Sequence, residues 1–530
     1  MKKILLSAIL FSSIIACREE SLSNRDAQLQ AQQNLLDVKS VYKQEFSIAL
    51  AKALAVNADL RDFIKKEALK EFDNDYDVLY QMVKDQLIGG KTFKNIIAEQ
   101  YTKKENLEAL ERLYPTLTIF VPELPMDSFS AEKWDVKTEI PLVAYTLNTT
   151  KDIPIVTENG SEFLLEAKYI PSFPIVVVKE NERVKVVSLG DSVKNKTMAS
   201  IDTKSSIIHQ DNLLKGSSYN FEFLDDAFNG NKSNGIQKSA SVRTMTTRND
   251  LVVDPKIQQA YEIYKNTDGW QRDYIYYNIA PSNTRGKFSY DFMEYITSFT
   301  LNKASDYSKI ADQDDPKLNT DHIELNSGNI PDSSGFWTEG NFEFSIIALV
   351  NGKNGVGSII EKGFTLRPSQ LFNLFYEKTL IPLPPPFPPS MRTYMWKVKE
   401  ATPIEVALNI PLLNWSLEDY SSSIKISIEE VDPSQTTTDK IVHQSKFAAN
   451  FSIDPTEGLM NKIGLKFGAS AEVANSTEYT VVTNLGNDKL RDVIVNFGDN
   501  TIIGLNNSQY IRRKYDSGFF TITVEPKRVQ

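Results

Sequence analysis

The chain has 530 residues, of which 41% are hydrophobic and 24% are charged, with 23 glycines and 23 prolines. That length exceeds one hydrophobic core, so it predicts several domains, and the globular composition excludes collagen-like, disordered and multi-pass membrane classes. The 59 basic and 69 acidic residues give a net charge of −10. We expect no nucleic-acid partner, because binding to phosphates requires clustered lysine and arginine.

The N-terminus has the pattern of a secretory signal. Residues 1–3 form a short basic start, and the apolar run over 4–16 is too short to span a bilayer, which needs about 20 residues. The run ends at Ile14-Ile15-Ala16-Cys17, and Cys17 is the single cysteine. This ending resembles the lipobox of bacterial lipoproteins, which usually has Leu where Ile14 stands. The resemblance implies that residues 1–16 are removed as a signal peptide and that Cys17 is acylated; an ordinary signal peptide with a chance cysteine is the alternative.

The residues after the cysteine bear on localisation. Arg18, Glu19 and Glu20 are similar to the export signal of surface-exposed lipoproteins of Bacteroidota, which often has Lys where Arg18 stands. The resemblance implies an outer-membrane protein, lipid-anchored and exposed at the cell surface, whereas the simpler alternative is an acidic tether. Residues 17–36 are rich in Gln, Ser and Asn, so they predict a flexible lipidated tether.

Residues 37–114 predict a helical bundle. The first apolar helix face consists of residues spaced four apart, namely Tyr42, Phe46, Leu50 and Leu54. Residues 60–72 and 78–87 give two further faces, with Asn57 as a capping residue between the first two. Gly89-Gly90 is predicted to end the third helix, and Phe93 to begin a fourth.

From residue 115 the apolar residues alternate, which is typical of strands with one buried face. We therefore predict a β domain over 115–249, a β-rich domain over 250–380 and a C-terminal β-sandwich over 391–530. Residues 381–390 contain six prolines between Pro382 and Pro389, and they predict a stiff linker between domains. The expected fold class is α+β multidomain, with a helical bundle followed by mainly antiparallel, sandwich-like domains.

Two local patterns complete the prediction of secondary structure. Asn181-Glu182 lies between two β-branched runs, 175–179 and 183–187, and suits the turn of a hairpin. The stretch from Asp273 to Ile279 alternates and predicts a strand.

Sequence signatures of catalysis are absent. The three histidines, His209, His322 and His443, do not form H-E-x-x-H, and no G-x-S-x-G is present. Acylation of Cys17 would leave no thiol nucleophile. We therefore predict no catalytic residues and favour a non-enzymatic protein without a cofactor.

Acidic clusters are candidates for a structural calcium ion, which prefers oxygen ligands. The stretch from Asp73 to Asp77 has acids at alternate positions, but it lacks the glycine and glutamate that complete a calcium loop, so a turn is favoured. The looser candidate group comprises Asp312, Asp314, Asp315 and Asp321. Solvated loop acids are the simpler interpretation of that group.

Aromatic residues are candidates for stacking on sugar rings. The candidate residues are Trp270, Tyr274, Tyr276 and Trp337. Strand alternation would place about half of the cluster at 270–277 in the core.

These observations favour a lipid-anchored protein of the cell envelope that binds an extracellular glycan or protein. A carboxylate-dependent hydrolase of glycans or peptides is one alternative. A pore-forming or contact toxin is another, because Lys466 to Thr483 is rich in small and polar residues and alternates weakly, as barrel stems do.

Overall fold

The computed structural model describes most of the chain, in the following ranges: 40–147, 152–187, 213–216, 218–231, 253–266, 270–283, 285–304, 310, 336–352, 357–385, 387–388, 390–431, 442–447, 477–482 and 488–529. Of the predicted sites, the lipidation site, the export signal and the acidic loop group lie outside these ranges, namely Cys17, Arg18, Glu19, Glu20, Asp312, Asp314, Asp315 and Asp321. Most of the predicted toxin stem over 466–483 also lies outside them. The described residues form a mixed α/β structure with several mainly antiparallel sheets.

Five of the nine α-helices in the described ranges lie before residue 115. Their bounds are α1 40–56, α2 Ala58–Ala68, α3 Tyr80–Val83, α4 Phe93–Ala98, α5 Lys104–Leu113, α6 Pro255–Tyr264, α7 Gln271–Tyr277, α8 Phe336–Glu339 and α9 Pro368–Leu371. The predicted cap is confirmed, because the Asn57 side chain accepts a hydrogen bond of 3.0 Å from the Leu60 amide at the start of α2.

The strands, in chain order, are β1 Asp77–Leu79, β2 Leu87–Ile88, β3 Lys91–Thr92, β4 Leu117–Phe120, β5 Leu142–Tyr145, β6 Ile153–Val156, β7 Glu162–Leu165, β8 Ile170–Pro171, β9 Ile175–Glu180, β10 Val184–Val187, β11 Leu213–Lys215, β12 Asn220–Phe223, β13 Phe292–Leu301, β14 Phe342–Gly352, β15 Gly357–Leu366, β16 Phe372–Pro382, β17 Arg392–Pro403, β18 Val406–Pro411, β19 Tyr420–Glu430, β20 Val442–Phe447, β21 Thr477–Val482, β22 Asp488–Asn496, β23 Ile502–Asn506, β24 Gln509–Arg512, β25 Tyr515–Asp516 and β26 Phe520–Arg528.

The first large sheet has the order β1-β4-β9-β5-β6-β7. β5 and β9 run parallel, and the other neighbouring strands run antiparallel. Every residue of β4 and β6 is buried, as expected for strands covered on both faces.

The predicted helical bundle over 37–114 is not observed as a separate unit. Residues 77–92 form three short strands around α3 instead of a third long helix, and Val78 of β1 pairs with Ile119 of β4. Gly89 and Gly90 take positive φ angles in the turn between β2 and β3, so they close a hairpin rather than end a helix. Pairing of β1 with the first large sheet overrides the local helical pattern.

Two four-stranded antiparallel sheets contact each other through aromatic rings. Their orders are β18-β13-β26-β25 and β15-β14-β19-β22. The Phe299 ring of β13 lies 5.2 Å from the Phe344 ring of β14 and 5.4 Å from the Phe364 ring of β15. The prediction of mainly antiparallel sheets is therefore confirmed, but the strands of each sheet come from both sides of the proline-rich segment.

The proline-rich segment is a hairpin turn, so the prediction that residues 381–390 form a linker between domains is wrong. β16 pairs with β17 along its whole length, from Phe372 opposite Pro403 to Pro382 opposite Arg392. Because a strand end needs few amide donors, the prolines fit at this turn without breaking the sheet. The predicted units 250–380 and 391–530 therefore share their sheets, and the main hydrophobic core continues from Phe46 to Val524.

The prediction of a hairpin around Asn181-Glu182 is also wrong. β9 belongs to the first large sheet, whereas β10 pairs with β12 in a small sheet of the order β10-β12-β11. The chain changes sheets here because Asn181, Glu182 and Arg183 are drawn into a buried polar cluster, each at most 3% exposed.

Candidate functional site

The aromatic candidates lie mainly in the core. Residues 271–277 form helix α7 rather than the predicted strand, and Asn278 ends that helix with a φ of 55°. Tyr276 is fully buried and its hydroxyl donates to Glu294 at 3.0 Å, while Trp337 is 1% exposed. These two rings therefore cannot stack on a ligand at the surface. Trp270 and Tyr274 are partly exposed, and a binding role for them stays a prediction.

Helix α7 instead contributes a buried ion pair. Arg272 and Glu294 are both 0% exposed, and their side chains form hydrogen bonds of 2.8 and 3.0 Å. The neighbouring Asp273 is equally buried, and neither of its carboxyl oxygens has a hydrogen-bond partner among the described residues. Burial raises the pKa of Asp273 to about 8, so at neutral pH the neutral acid predominates.

A second polar group is larger, and we call it the buried charge cluster. Its members are each at most 6% exposed, and they are Asp73, Asp75, Asp77, Lys179, Asn181, Glu182, Arg183 and Glu343. They come from three distant parts of the chain: the segment before and at the start of β1, the end of β9 with its connection to β10, and β14. The cluster thus joins two of the three predicted β domains, 115–249 and 250–380, to the N-terminal segment.

Arg183 is the centre of this cluster. Its guanidinium lies 3.1 Å from an oxygen of Asp75 and 3.3 Å from an oxygen of Asp77, and it also pairs with Glu343. The guanidinium also donates a hydrogen bond of 2.9 Å to the carbonyl oxygen of Asn341, just before β14. The alternating aspartates therefore surround an arginine side chain, where the sequence had suggested a turn or a calcium loop.

The cluster contains five carboxyl groups against two cations. Burial raises the pKa of Asp73 to about 6, although Arg183 opposes the shift. Burial also raises the pKa values of Asp77 and Glu343 well above their ordinary values. Protonation of these three carboxyls makes the cluster electrically neutral, which is the state that a water-excluded site favours.

A metal centre is not evident in the described ranges, where no group of three His, Cys, Asp or Glu side chains is arranged to hold a metal ion. The predicted calcium candidates, from Asp312 to Asp321, fall outside those ranges, so the possibility of a structural calcium ion stays a prediction.

An exposed surface with binding chemistry lies on the hairpin of β16 and β17. Lys378 is opposite Trp396, and Leu380 is opposite Tyr394, so these four side chains lie on the same face of the hairpin. Tyr394 is 50% exposed and Leu380 is 44% exposed. We call these four residues, together with Arg392 at the start of β17, the hairpin face.

The hairpin face is held in place by local contacts. The Lys378 ammonium lies 4.9 Å from the centre of the Tyr394 ring and 5.2 Å from that of Trp396, within reach of a cation–π interaction. The indole NH of Trp396 points to the Ser128 hydroxyl at 3.4 Å. At the hairpin tip, the Phe387 ring packs edge-on against Phe163 of β7. The aromatic rings and the ammonium are therefore positioned before any ligand arrives.

The sequence predicted neither the hairpin face nor the buried charge cluster. The alternation of Tyr394, Met395 and Trp396 does predict two aromatic side chains on one strand face with an apolar residue on the other, and Met395 is fully buried. The alternating acids at 73–77 were noticed, but their partner Arg183 lies more than a hundred residues away. Only tertiary structure brings that cation to them.

Comparison with protein-family models, with characterised proteins and with solved structures finds no match for this chain. Of the helices that the structure describes, none combines the length and the apolar character needed to cross a membrane.

Proposed function

We propose that the chain is a lipid-anchored protein of the outer cell envelope, and that its folded part binds an extracellular glycan carrying acidic groups. The observation that supports a binding role is the hairpin face, where a lysine is held between two aromatic rings on an exposed strand pair. The anchor rests on the lipobox resemblance at Cys17, and surface display on Arg18, Glu19 and Glu20.

The chemistry of the hairpin face favours an acidic sugar polymer. Tyr394 and Trp396 present flat apolar surface of the kind that packs on the apolar side of a sugar ring. Lys378 and Arg392 are the charged residues of this face, whereas Glu377 is opposite Lys397 on the other face of the hairpin. The face is thus locally positive on a chain whose net charge is −10, and it complements carboxylate groups spaced along a polymer.

The test uses the Cys17→Ala chain, which we expect in the soluble fraction instead of the membrane fraction because its acylation site is gone. Titration calorimetry with soluble polygalacturonate should give measurable binding, and the fully methyl-esterified polymer should bind at least about tenfold more weakly. Adding Tyr394→Ala or Lys378→Gln should weaken binding to polygalacturonate by roughly tenfold each.

Ile503→Ala is the matched control, since Ile503 is 53% exposed on β23, which pairs with β24 in a separate sheet from that of the hairpin face. It should leave the affinity unchanged. Equal affinity for the charged and esterified polymers, or equal losses in the control and the two face variants, would refute the binding proposal. A Cys17→Ala chain that stays in the membrane fraction would refute the anchor.

A further inference from the structure

Lys179 and Asp77 meet inside the buried charge cluster in a reactive arrangement. The Lys179 ammonium nitrogen lies 3.6 Å from Oδ2 of Asp77 and 2.5 Å from Oε1 of Glu182. All three side chains are at most 2% exposed, and the Phe120 ring lies 4.8 Å from the ammonium. An amine, a carboxyl group and a proton acceptor are therefore held together with water excluded.

The two oxygens of Asp77 have different surroundings. Oδ2 accepts hydrogen bonds of 3.3 Å from the Asn181 amide and 3.3 Å from the Arg183 guanidinium. Oδ1 has no hydrogen-bond partner among the described residues, although it is buried. Hydrogen-bond donors on Oδ2 alone suit an attack on the carboxyl carbon, because negative charge develops on Oδ2 while Oδ1 leaves.

We propose that Lys179 and Asp77 condense to an intramolecular amide bond, with Glu182 transferring the proton and Asn181 and Arg183 stabilising the charge on Oδ2. Glu182 removes a proton from the ammonium, and the freed Nζ attacks Cγ of Asp77. The Nζ–Cγ bond forms and the Cγ–Oδ1 bond breaks. Glu182 passes its proton to the Oδ1 hydroxyl, which leaves as water, and Glu182 then takes the second proton from Nζ. One ammonium, one neutral carboxyl group and the Glu182 carboxylate thus give one amide, one water and a protonated Glu182, without a further reactant.

Two features favour this reaction in the folded chain. Burial raises the pKa of Asp77 well above its ordinary value and so favours the neutral acid, which amines attack more readily than a carboxylate. Condensation also removes an unpartnered buried oxygen and the buried charges of Lys179 and Glu182, all of which are unfavourable in the core. Because β4 lies between β1 and β9, the new bond fastens the edge strand β1 across its neighbour.

Peptide mapping of the full-length chain by tandem mass spectrometry tests the proposal. Trypsin should fail to cleave after Lys179, and the peptides containing Lys179 and Asp77 should be recovered joined, lighter than their sum by one water. Glu182→Gln should leave the two peptides separate while the variant keeps a folded circular-dichroism spectrum. Asp77→Asn should give the same linked product with loss of ammonia, because an amide nitrogen can leave in place of Oδ1.

The wild-type chain alone decides the matter if a variant fails to fold. Cleavage after Lys179, with Asp77 recovered in a separate peptide from folded protein, would overturn the proposal. A link from Lys179 to Glu182 would also overturn it, since that product would make Glu182 the acylating group.

Discussion

The Arg183→Met variant is expected to lose about 3–5 kcal/mol of unfolding free energy, because removing one partner of a buried ion pair leaves uncompensated charge. Arg183 is fully buried, and it bonds to Asp75, to Asp77 and to the carbonyl of Asn341. Without it, the N-terminal segment and β14 lose their shared cation. Urea unfolding of both proteins, followed by far-ultraviolet circular dichroism, measures the loss.

Lys185→Met provides the matched control for this experiment. Lys185 lies two residues further along the chain, in β10, and pairs with Glu222 at 3.3 Å, but its side chain is 48% exposed. A solvent-exposed pair contributes at most about 1 kcal/mol, so this variant should unfold near the wild-type midpoint. Similar small losses in both variants would show that the cluster does not hold these segments together.

The second large effect is a gain of stability on acidification. The folded-state pKa of Asp73 is about 6 and that of Asp273 is about 8, both above the value of about 4 in an unfolded chain. A carboxyl whose pKa is higher in the folded chain than in the unfolded chain contributes its full stabilisation at a pH below the unfolded-chain pKa. That stabilisation is lost as the pH rises through the folded-chain pKa. The loss therefore falls between about pH 4 and pH 6 for Asp73 and between about pH 4 and pH 8 for Asp273.

Lowering the pH from about 8 to about 5 should raise the unfolding free energy by several kcal/mol, of which Asp273 supplies on the order of 3 kcal/mol. Asp273→Asn replaces the carboxyl with a neutral group of nearly the same shape. Its unfolding free energy should therefore rise less between the two pH values than that of the wild type, by on the order of 3 kcal/mol. Denaturant titrations at both pH values measure the difference. The same pH dependence in Asp273→Asn and wild type would contradict the assignment. Neither carboxyl takes part in the proposed bond between Lys179 and Asp77.

Elements whose pattern is local were predictable from sequence. The β-branched run at 175–179 forms β9 (Ile175–Glu180). The cap at Asn57 was predictable for the same reason, because its partner is the Leu60 amide three residues later. Each of these features depends only on residues that are close together in the sequence.

Features that depend on distant partners were not predictable. Residues 273–279 alternate like a strand, yet α7 forms because Arg272 reaches Glu294 and the carbonyl of Asp499 in the core. The prolines at 382–389 break local pattern, but β16 and β17 pair across them. The buried charge cluster likewise joins residues up to 270 positions apart, so its acids looked like an ordinary turn in the sequence.

Expression of residues 391–530 alone tests most directly whether the β-rich part of the chain is one interleaved unit. In this fragment β17 lacks β16, β19 lacks β14, and β18 and β26 lack the strand β13 that lies between them. We therefore expect no cooperative thermal unfolding and poorly dispersed amide resonances, with the chain from residue 40 onward as the folded reference. A fragment that unfolds cooperatively and shows dispersed amide resonances would contradict the shared sheets and restore a domain boundary at 381–390.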